Sequence, residues 1–354
     1  MRLLIITQVL DRQDAVLGFF PRWVEGFARN VERVRVVALS VGDISGLPTN
    51  VDVRVVGREG TILRYLRFRK FLREAFGRDG FDTVFAHMIP RYSTAAAGQA
   101  SRAGARHFLW YTHGAVDECL RKAERVVERI FTASDESLRL ETPKKLVTGH
   151  GIDLEHFDGR GTGPMGAPRL LSVGRMTPSK DPLTLVEALG HLRSEGRDVV
   201  LDIVGGGLAP GDGEYEAIVR RRVDELNLGD SVVMHRSIPY LRVPDNFRRA
   251  TICVNSSFTG SVDKVVLEAM ACERPVVSCN DSFPRVVASL GADARQLTFA
   301  PRDAANLAAK LRALLDLPFE TRAALGARLR AIVERDHEVD ALMARLVSHM
   351  ERPR

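Results

Sequence analysis

Two cations stand five residues apart in the segment Ser172–Lys180 (SVGRMTPSK), where an apolar run ends, Gly174 turns the chain, and Arg175 and Lys180 follow. Arg175 offers a planar fork of N–H donors and Lys180 a mobile point charge, a combination that suits a diphosphate. The bland alternative is a pair of solvated loop cations. A second segment, Asn255–Cys279 (NSSFTGSVDKVVLEAMACERPVVSC), runs from an apolar stretch through a small, polar, glycine-containing loop into a helical pattern with Glu268 near its middle. Backbone N–H groups and the dipole at such a helix start favour an anion. A carboxylate one to two turns in can accept hydrogen bonds from both hydroxyls of a ribose. The alternative for Glu268 is a surface helix acid, although its neighbours Leu267, Ala269 and Met270 are apolar.

These residues need a scaffold that presents strand ends, and the rest of the chain supplies one. At 354 residues, 45% apolar and 27% charged, the sequence fits a soluble globular protein of two domains. Strands are expected at Arg2–Val9, Val34–Ser40, Thr83–His87, His107–Thr112, Arg129–Ala133 and Leu146–His150. Helices at Phe19–Asn30, Leu63–Phe76 and Thr94–Arg102 fall between them. The stretch Phe157–Pro168 (FDGRGTGPMGAP) is the best linker candidate. After it the alternation restarts, with strands Arg169–Val173, Val199–Val204, Ser231–His235, Ile252–Asn255 and Pro275–Ser278. The helices between them are Pro182–Ser194, Tyr215–Leu226, Val243–Ala250 and Lys264–Ala271. The chain is expected to be helical from Glu320 to Met350. Short apolar runs alternating with amphipathic helices indicate α/β architecture with parallel sheets covered on both faces. The expected domains are residues 1–165, residues 166–330 and a C-terminal helix, 331–354, packing back on the first. Ligands of open α/β sheets bind beyond the carboxyl ends of the strands, so two such sheets facing each other across a cleft would place the functional residues just after strands.

Other classes fall away. The apolar run Met1–Leu10 stops at Asp11–Arg12 without a small-residue cleavage site and reads as a strand, not a signal peptide. No stretch reaches the roughly 18 apolar residues of a membrane span. Cys119, Cys253, Cys272 and Cys279 show no CxxC spacing, so a reduced, cytoplasmic setting is expected without metal or redox work for them. Gly205–Gly207 lacks both the third glycine of a dinucleotide fingerprint and the Gly–Lys–Ser/Thr of a P-loop. The net charge of +6 is concentrated in the first half, much of it in Thr61–Arg78, where Arg64, Arg67, Arg69, Lys70, Arg73 and Arg78 face Glu74 alone. Helix 63–76 either packs an apolar stripe of Tyr65, Phe68 and Leu72 on the sheet or lies on anionic lipid at the inner face of a membrane. Nucleic acid is not expected, because no basic patch is interleaved with aromatics.

The segments SVGRMTPSKDPLTLVEAL and SSFTGSVDKVVLEAMACERPVV, with IVGGG (Ile203–Gly207) between them, resemble the signature of family 4 retaining glycosyltransferases of the GT-B fold, in glycosyl transferases group 1. VFAHM ending at Met88, WYTHG ending at Gly114 and VTGHGIDLEHF (Val147–Phe157) agree with it. The resemblance implies two Rossmann-like doubly wound domains, with the donor held mainly by the second. Arg175 and Lys180 would bind the donor diphosphate and stabilise the charge it gains, Glu268 would hold the ribose, and Lys264, Val265, Val266 and Leu267 would line the phosphates and sugar. Arg236, Ser237 and Ile238 would meet the base. His113 would sit beside the transferred sugar, Gly18 close to the phosphates, and His87 would face the acceptor.

One departure bears on sugar recognition. The family has a second glutamate eight positions before the ribose-binding one, and Gly260 stands there, with Asp263 nearby as a candidate replacement. The resemblance implies a hexosyltransferase using a UDP- or GDP-sugar on a glycan or lipid-linked acceptor in envelope polysaccharide synthesis, with no obligatory metal because Arg175 and Lys180 neutralise the diphosphate. A nucleotide-sugar epimerase, a glycosyl phosphorylase, or a silent nucleotide-sugar-binding subunit are the rival readings.

Overall fold

The computed structural model describes residues 1–159, 166–206, 212–258 and 260–352, with the side chain of Asp212 left aside. Residues 160–165 of the expected linker and Gly207 of the IVGGG motif lie outside the described residues. The chain divides into two compact units, Met1–Asp153 with Glu338–Arg354, and Leu154–His337.

The first unit is a seven-stranded parallel sheet. Its strands are β1 (Arg2–Leu10), β2 (Arg33–Val41), β3 (Val51–Val55), β4 (Thr83–His87), β5 (Arg106–Trp110), β6 (Arg129–Thr132) and β7 (Lys145–Val147), in the order β3-β2-β1-β4-β5-β6-β7. Helices α1 (Phe20–Asn30), α2 (Thr61–Arg73), α3 (Pro90–Arg102) and α4 (Glu118–Val126) connect them. Leu3–Ile6 of β1 are all buried because the strand lies between β2 and β4 and is covered on both faces. Strand order reverses between β1 and β4, so loops leaving these two carboxyl ends diverge and leave space for a ligand.

The second unit repeats the plan with five parallel strands, β8 (Arg169–Val173), β9 (Val200–Val204), β10 (Val232–His235), β11 (Ile252–Asn255) and β12 (Val276–Ser278), ordered β10-β9-β8-β11-β12. Its switch point lies between β8 and β11, the two strands that lead into the Arg175–Lys180 and Ser256–Asp263 loops. The helices are α5 (Pro182–Ser194), α6 (Asp212–Glu225), α7 (Val243–Arg249), α8 (Lys264–Ala271), α9 (Phe283–Val286), α10 (Ala304–Leu315) and α11 (Phe319–Asp336). Helix α12 (Val339–Glu351) belongs to the first unit.

The helix expected to continue from Glu320 to Met350 is two helices. His337 ends α11 in a non-helical conformation, and the Glu338 carboxylate caps α12 by accepting from Asp340 N at 2.8 Å and Ala341 N at 2.6 Å. Helix α12 packs on α1 where Gly26 has no side chain; a Cβ there would lie 2.6 Å from Met343 Cγ. Arg22 clamps the same pair, with Nη1 and Nη2 donating to Asp340 at 2.8 and 2.6 Å.

Helix α2 departs from the expected stripe. Phe68 and Leu72 are buried, Phe68 edge-on to Tyr92 of α3 at 4.9 Å, but Tyr65 is half-exposed beneath the Arg69 guanidinium. Burial is confined to the second half of the helix. Ile62 is 78% and Leu66 58% exposed, and Leu63 is exposed as well. No described helix is long and apolar enough to cross a membrane.

Candidate functional site

At the switch point of the second unit, the eight-residue loop between β8 and α5 carries Arg175, Lys180 and Asp181. Asp181 adopts a left-handed conformation (φ 44°) and caps α5 by accepting from Thr184 N at 3.5 Å, while its other carboxylate oxygen accepts from the Thr184 hydroxyl at 2.6 Å. That strained residue is held because its carboxylate satisfies the helix start, and it fixes the direction in which Lys180 leaves the loop. Ser256 Oγ donates to Lys180 O at 2.8 Å, tying the β8 and β11 loops together. Arg175 is exposed.

The Lys180 ammonium donates to Asp263 Oδ1 at 2.7 Å and to Ser257 Oγ at 3.3 Å. Asn255 Nδ2 holds the other carboxylate oxygen of Asp263 at 2.9 Å. Both Asp263 oxygens are thus engaged, directly before the start of α8. An anionic group already sits where the helix N-terminus and Lys180 would receive a phosphate.

Behind this loop runs a buried polar relay that the sequence reading missed. Ser278 Oγ donates to Asn255 Oδ1 at 3.0 Å, Asn280 Nδ2 to Ser261 O at 2.8 Å and Ser282 Oγ to Gly260 O at 2.9 Å. The backbone of 260–261 is therefore held from below by side chains following β12. The signal was present in the sequence as the polar residues Asn255, Ser278, Asn280 and Ser282 at strand ends, but their pairing depends on the parallel register of β11 and β12.

Glu268 is 3% exposed, which removes the surface-acid alternative. Burial raises its carboxyl above the usual range, against the opposing pull of Lys264, whose Nζ lies 3.5 Å from Oε1. Lys264 Nζ also sits 5.2 Å from the Tyr240 ring centroid, and Tyr240 lies against the His156 ring at 5.1 Å. Val266 and Leu267 are buried, and Val265 lies toward α8's first turn.

The loop ends are braided by a glycine. Gly205 adopts φ 140°, and a Cβ there would fall 1.9 Å from Gly174 O, so no other residue fits. Its N–H donates to His235 O at 3.2 Å, and Gly174 N donates to Val204 O at 3.0 Å. This brings the loop of Arg236, Ser237 and Ile238 after β10 beside the Gly174–Arg175 turn after β8. A Cβ on Gly206 would lie 3.7 Å from Ser237 N.

Gly18, His87 and His113 are carried by the first unit. His87 is not exposed toward an acceptor: it is 2% exposed, stacked on Phe20 at 4.1 Å and within 3.5 Å of Thr7 Oγ1. The apolar α1 entrance, Phe19–Trp23, closes over the end of β4 and covers it. Gly18 is buried, and its N–H donates to Asp14 O at 3.0 Å within the β1–α1 loop. His113 is exposed and lines a cavity of about 360 Å³ with Met88, Arg91, Tyr111, Asp117 and Cys119. Ala115 N donates to His113 Nδ1 at 3.0 Å, so the neutral ring carries its proton on Nε2. Tyr111 Oη donates to Ala115 O at 3.0 Å and braces the same turn. Met88, at φ 56°, is a non-glycine residue held in left-handed space at this cavity's edge.

Residues 158–331 match the sequence model of the family described as glycosyl transferases group 1. A D-inositol 3-phosphate glycosyltransferase 2 from Catenulispora acidiphila is 31% identical over 218 residues, 57% of this chain and 50% of its own length. A D-inositol 3-phosphate glycosyltransferase from Kineococcus radiotolerans is 32% identical, covering 60% of this chain and 53% of its own. The chain spans about half the length of the curated relatives it matches. Among solved structures, Anabaena HepE in complex with UDP superposes with a TM-score of 0.76 at 15% identity over 99% of each chain. A glycosyltransferase from Rickettsia africae reaches 0.77 at 15% identity, covering 99% of this chain and 98% of its own. The chain thus has the GT-B fold and carries, over residues 158–331, the domain of glycosyl transferases group 1.

Proposed function

We propose that the chain is a glycosyltransferase that moves a hexose from a UDP- or GDP-sugar to a glycan or lipid-linked acceptor with retention of configuration, in envelope polysaccharide synthesis. One observation carries the reading. Lys180 and the start of α8 meet at the switch point of the second unit, with Arg175 on the same loop as Lys180 and Glu268 buried along the helix. Complexes of HepE with UDP and UDP-glucose support a uridine donor.

In this mechanism the donor diphosphate displaces Asp263 from Lys180. Arg175 and Lys180 then stabilise the charge that accumulates as the bond from the anomeric carbon to phosphate oxygen breaks. The acceptor hydroxyl attacks the face that the diphosphate leaves, and its proton passes to the departing phosphate oxygen. Each cation near 4 Å contributes on the order of 4 kcal/mol to the developing charge at an effective dielectric near 20, before desolvation. The two cations supply this neutralisation without an obligatory metal. In the first unit, His113 presents its Nε2–H to the cavity it shares with Arg91, which would take an acceptor hydroxyl.

The exposed Ile62, Leu63, Tyr65 and Leu66, flanked by Arg64 and Arg67, bring α2 to an anionic membrane where a lipid-linked acceptor resides. Co-sedimentation should rise with anionic lipid and fall for Ile62→Glu with Leu66→Glu. Equal sedimentation with neutral vesicles removes this part of the reading.

A panel of nucleotide sugars assayed for nucleoside diphosphate release tests the whole. Turnover should appear with one donor and collapse in Arg175→Ala and Lys180→Ala. Unchanged donor affinity in both variants overturns the proposal. The Asp263–Lys180 pair and the missing glutamate at Gly260 favour one rival, a subunit that binds nucleotide sugar without transferring it. Donor binding with neither transfer nor donor hydrolysis would select that rival.

A further inference from the structure

The amino ends of three neighbouring strands of the first unit carry cations. Arg106 opens β5, Arg129 opens β6, and Lys144 and Lys145 stand at the start of β7. The register sets them side by side, because Phe108 pairs with Arg129 and Ile130 with Lys145. With His349 and Arg352 from the end of α12 they line a groove of about 670 Å³, in which the described lining has one carboxylate, Glu128. This is the opposite end of the sheet from the His113 turn, which lies beyond the carboxyl end of β5.

Part of this charge is answered locally. Arg106 Nη2 lies 2.7 Å from Glu128 Oε2, and its Nη1 donates to the carbonyls of Met350 and Arg352. Lys144 Nζ is 3.8 Å from Glu124 Oε1, and Lys145 Nζ 2.7 Å from Asp135 Oδ1. The rest is not. Among the described residues Arg129 meets a carbonyl, Pro143 O at 3.3 Å, and neither it, Arg352 nor His349 has a carboxylate within 4.0 Å. The His349 imidazole is held below its ordinary pKa by burial, then by Arg352, Arg345 and Arg129, which reports a positive potential in the groove. Cations that converge without carboxylates repel one another, and an anion relieves that cost.

We propose that this groove is a second anion site, binding a phosphate-bearing group with two or more negative charges through Arg129, Arg352, His349 and Lys145. The fork of Arg129 suits two phosphate oxygens, and the groove is roomy enough for a diphosphate or for a phosphomonoester on a glycerol backbone. The same chemistry reaches the protein as a soluble diphosphate or as a lipid headgroup.

The imidazole of His349 gives a local readout that a nucleotide site in the other unit cannot mimic. With histidine-labelled full-length protein, its signal assigned through His349→Gln, inorganic pyrophosphate and short-chain phosphatidic acid below its micelle concentration are each titrated against chloride at matched ionic strength. Either ligand should raise the His349 midpoint by about half a pH unit or more, saturably. The double variant Arg129→Gln with Lys145→Gln should bind roughly tenfold more weakly while keeping its circular dichroism and Tm. At least tenfold tighter binding of the lipid identifies the source as a headgroup, and equal affinity identifies a soluble anion. A His349 midpoint that moves no further than in chloride, or equal affinity in the double variant, overturns the proposal.

Discussion

Lys180 and Asp263, 83 positions apart, meet as an ion pair of 2.7 Å that bridges the two loops at the switch point of the second sheet. The pair is largely shielded from solvent, and its carboxylate stands immediately before the start of α8, where backbone N–H groups and the helix dipole favour negative charge. A phosphate arriving at Lys180 would therefore compete with a resident carboxylate for the same lysine.

That competition predicts opposite effects from the two partners. Asp263→Asn keeps the shape and frees Lys180, so nucleoside diphosphate affinity should rise about tenfold, or about 1.4 kcal/mol. Lys180→Ala should lower it by a similar factor or more. Isothermal titration of UDP and GDP into both variants measures this, and a loss of affinity in Asp263→Asn would show that the carboxylate serves the ligand instead of opposing it.

Glu268 separates nucleoside from phosphate. If its carboxylate holds the ribose, Glu268→Gln removes a charge-assisted pair of hydrogen bonds, for a loss of about 2 kcal/mol, or roughly thirtyfold in UDP affinity. Pyrophosphate, which has no ribose, should bind the variant as well as it binds the parent. Equal weakening of both ligands would make Glu268 a structural partner of Lys264 and not a ribose contact.

Gly205 and Gly196 make a matched pair for strain. Both have positive φ, 140° and 79°, but only at Gly205 would a Cβ collide, 1.9 Å from Gly174 O, whereas nothing lies within 4 Å of one at Gly196. Gly196→Ala should cost about 1 kcal/mol. Gly205→Ala should cost at least about 2 kcal/mol more, lower Tm by at least about 5 °C and weaken diphosphate binding through the displaced Gly174–Arg175 turn. Equal Tm values for the two variants would count against the braid.

Much of the scaffold was legible because parallel strands buried on both faces read as continuous apolar runs. Thr83–His87, Arg169–Val173, Pro182–Ser194, Ile252–Asn255 and Lys264–Ala271 fall where the sequence places them. Strand β3 was not legible, since Val51–Val55 alternates with Asp52 and Arg54 at a sheet edge. Its partner β2 buries Arg35, which pairs with Asp52 and Asp79 at 2.6 Å each. Helix α4 was missed because it buries only Leu120 and Ala123 among charged neighbours. Within the candidate site, residue type and spacing singled out Arg175, Lys180 and Glu268, while the pairing of Lys180 with Asp263 depends on a long-range loop contact. The burial of His87 could not be read either, because it depends on how Phe19–Trp23 folds over the end of β4.

Acid sensitivity of the first unit should trace to His107. This β5 histidine is buried, with Ser93 Oγ at 3.0 Å from Nε2 and no described partner for Nδ1. Desolvation depresses its pKa from 6.5 to about 4, opposed weakly by Glu128. The unfolded chain binds the proton first, so stability is full above pH 6.5 and is lost as pH falls towards 4. A shift of this size corresponds to on the order of 3 kcal/mol. The depressed His349 adds loss of the same sign, so the difference between proteins isolates His107. Denaturant unfolding of the parent and of His107→Asn at pH 7.5 and pH 4.5 provides the measurement. The variant should begin less stable yet lose less on acidification, and parallel losses in the two proteins would assign the acid sensitivity to other groups.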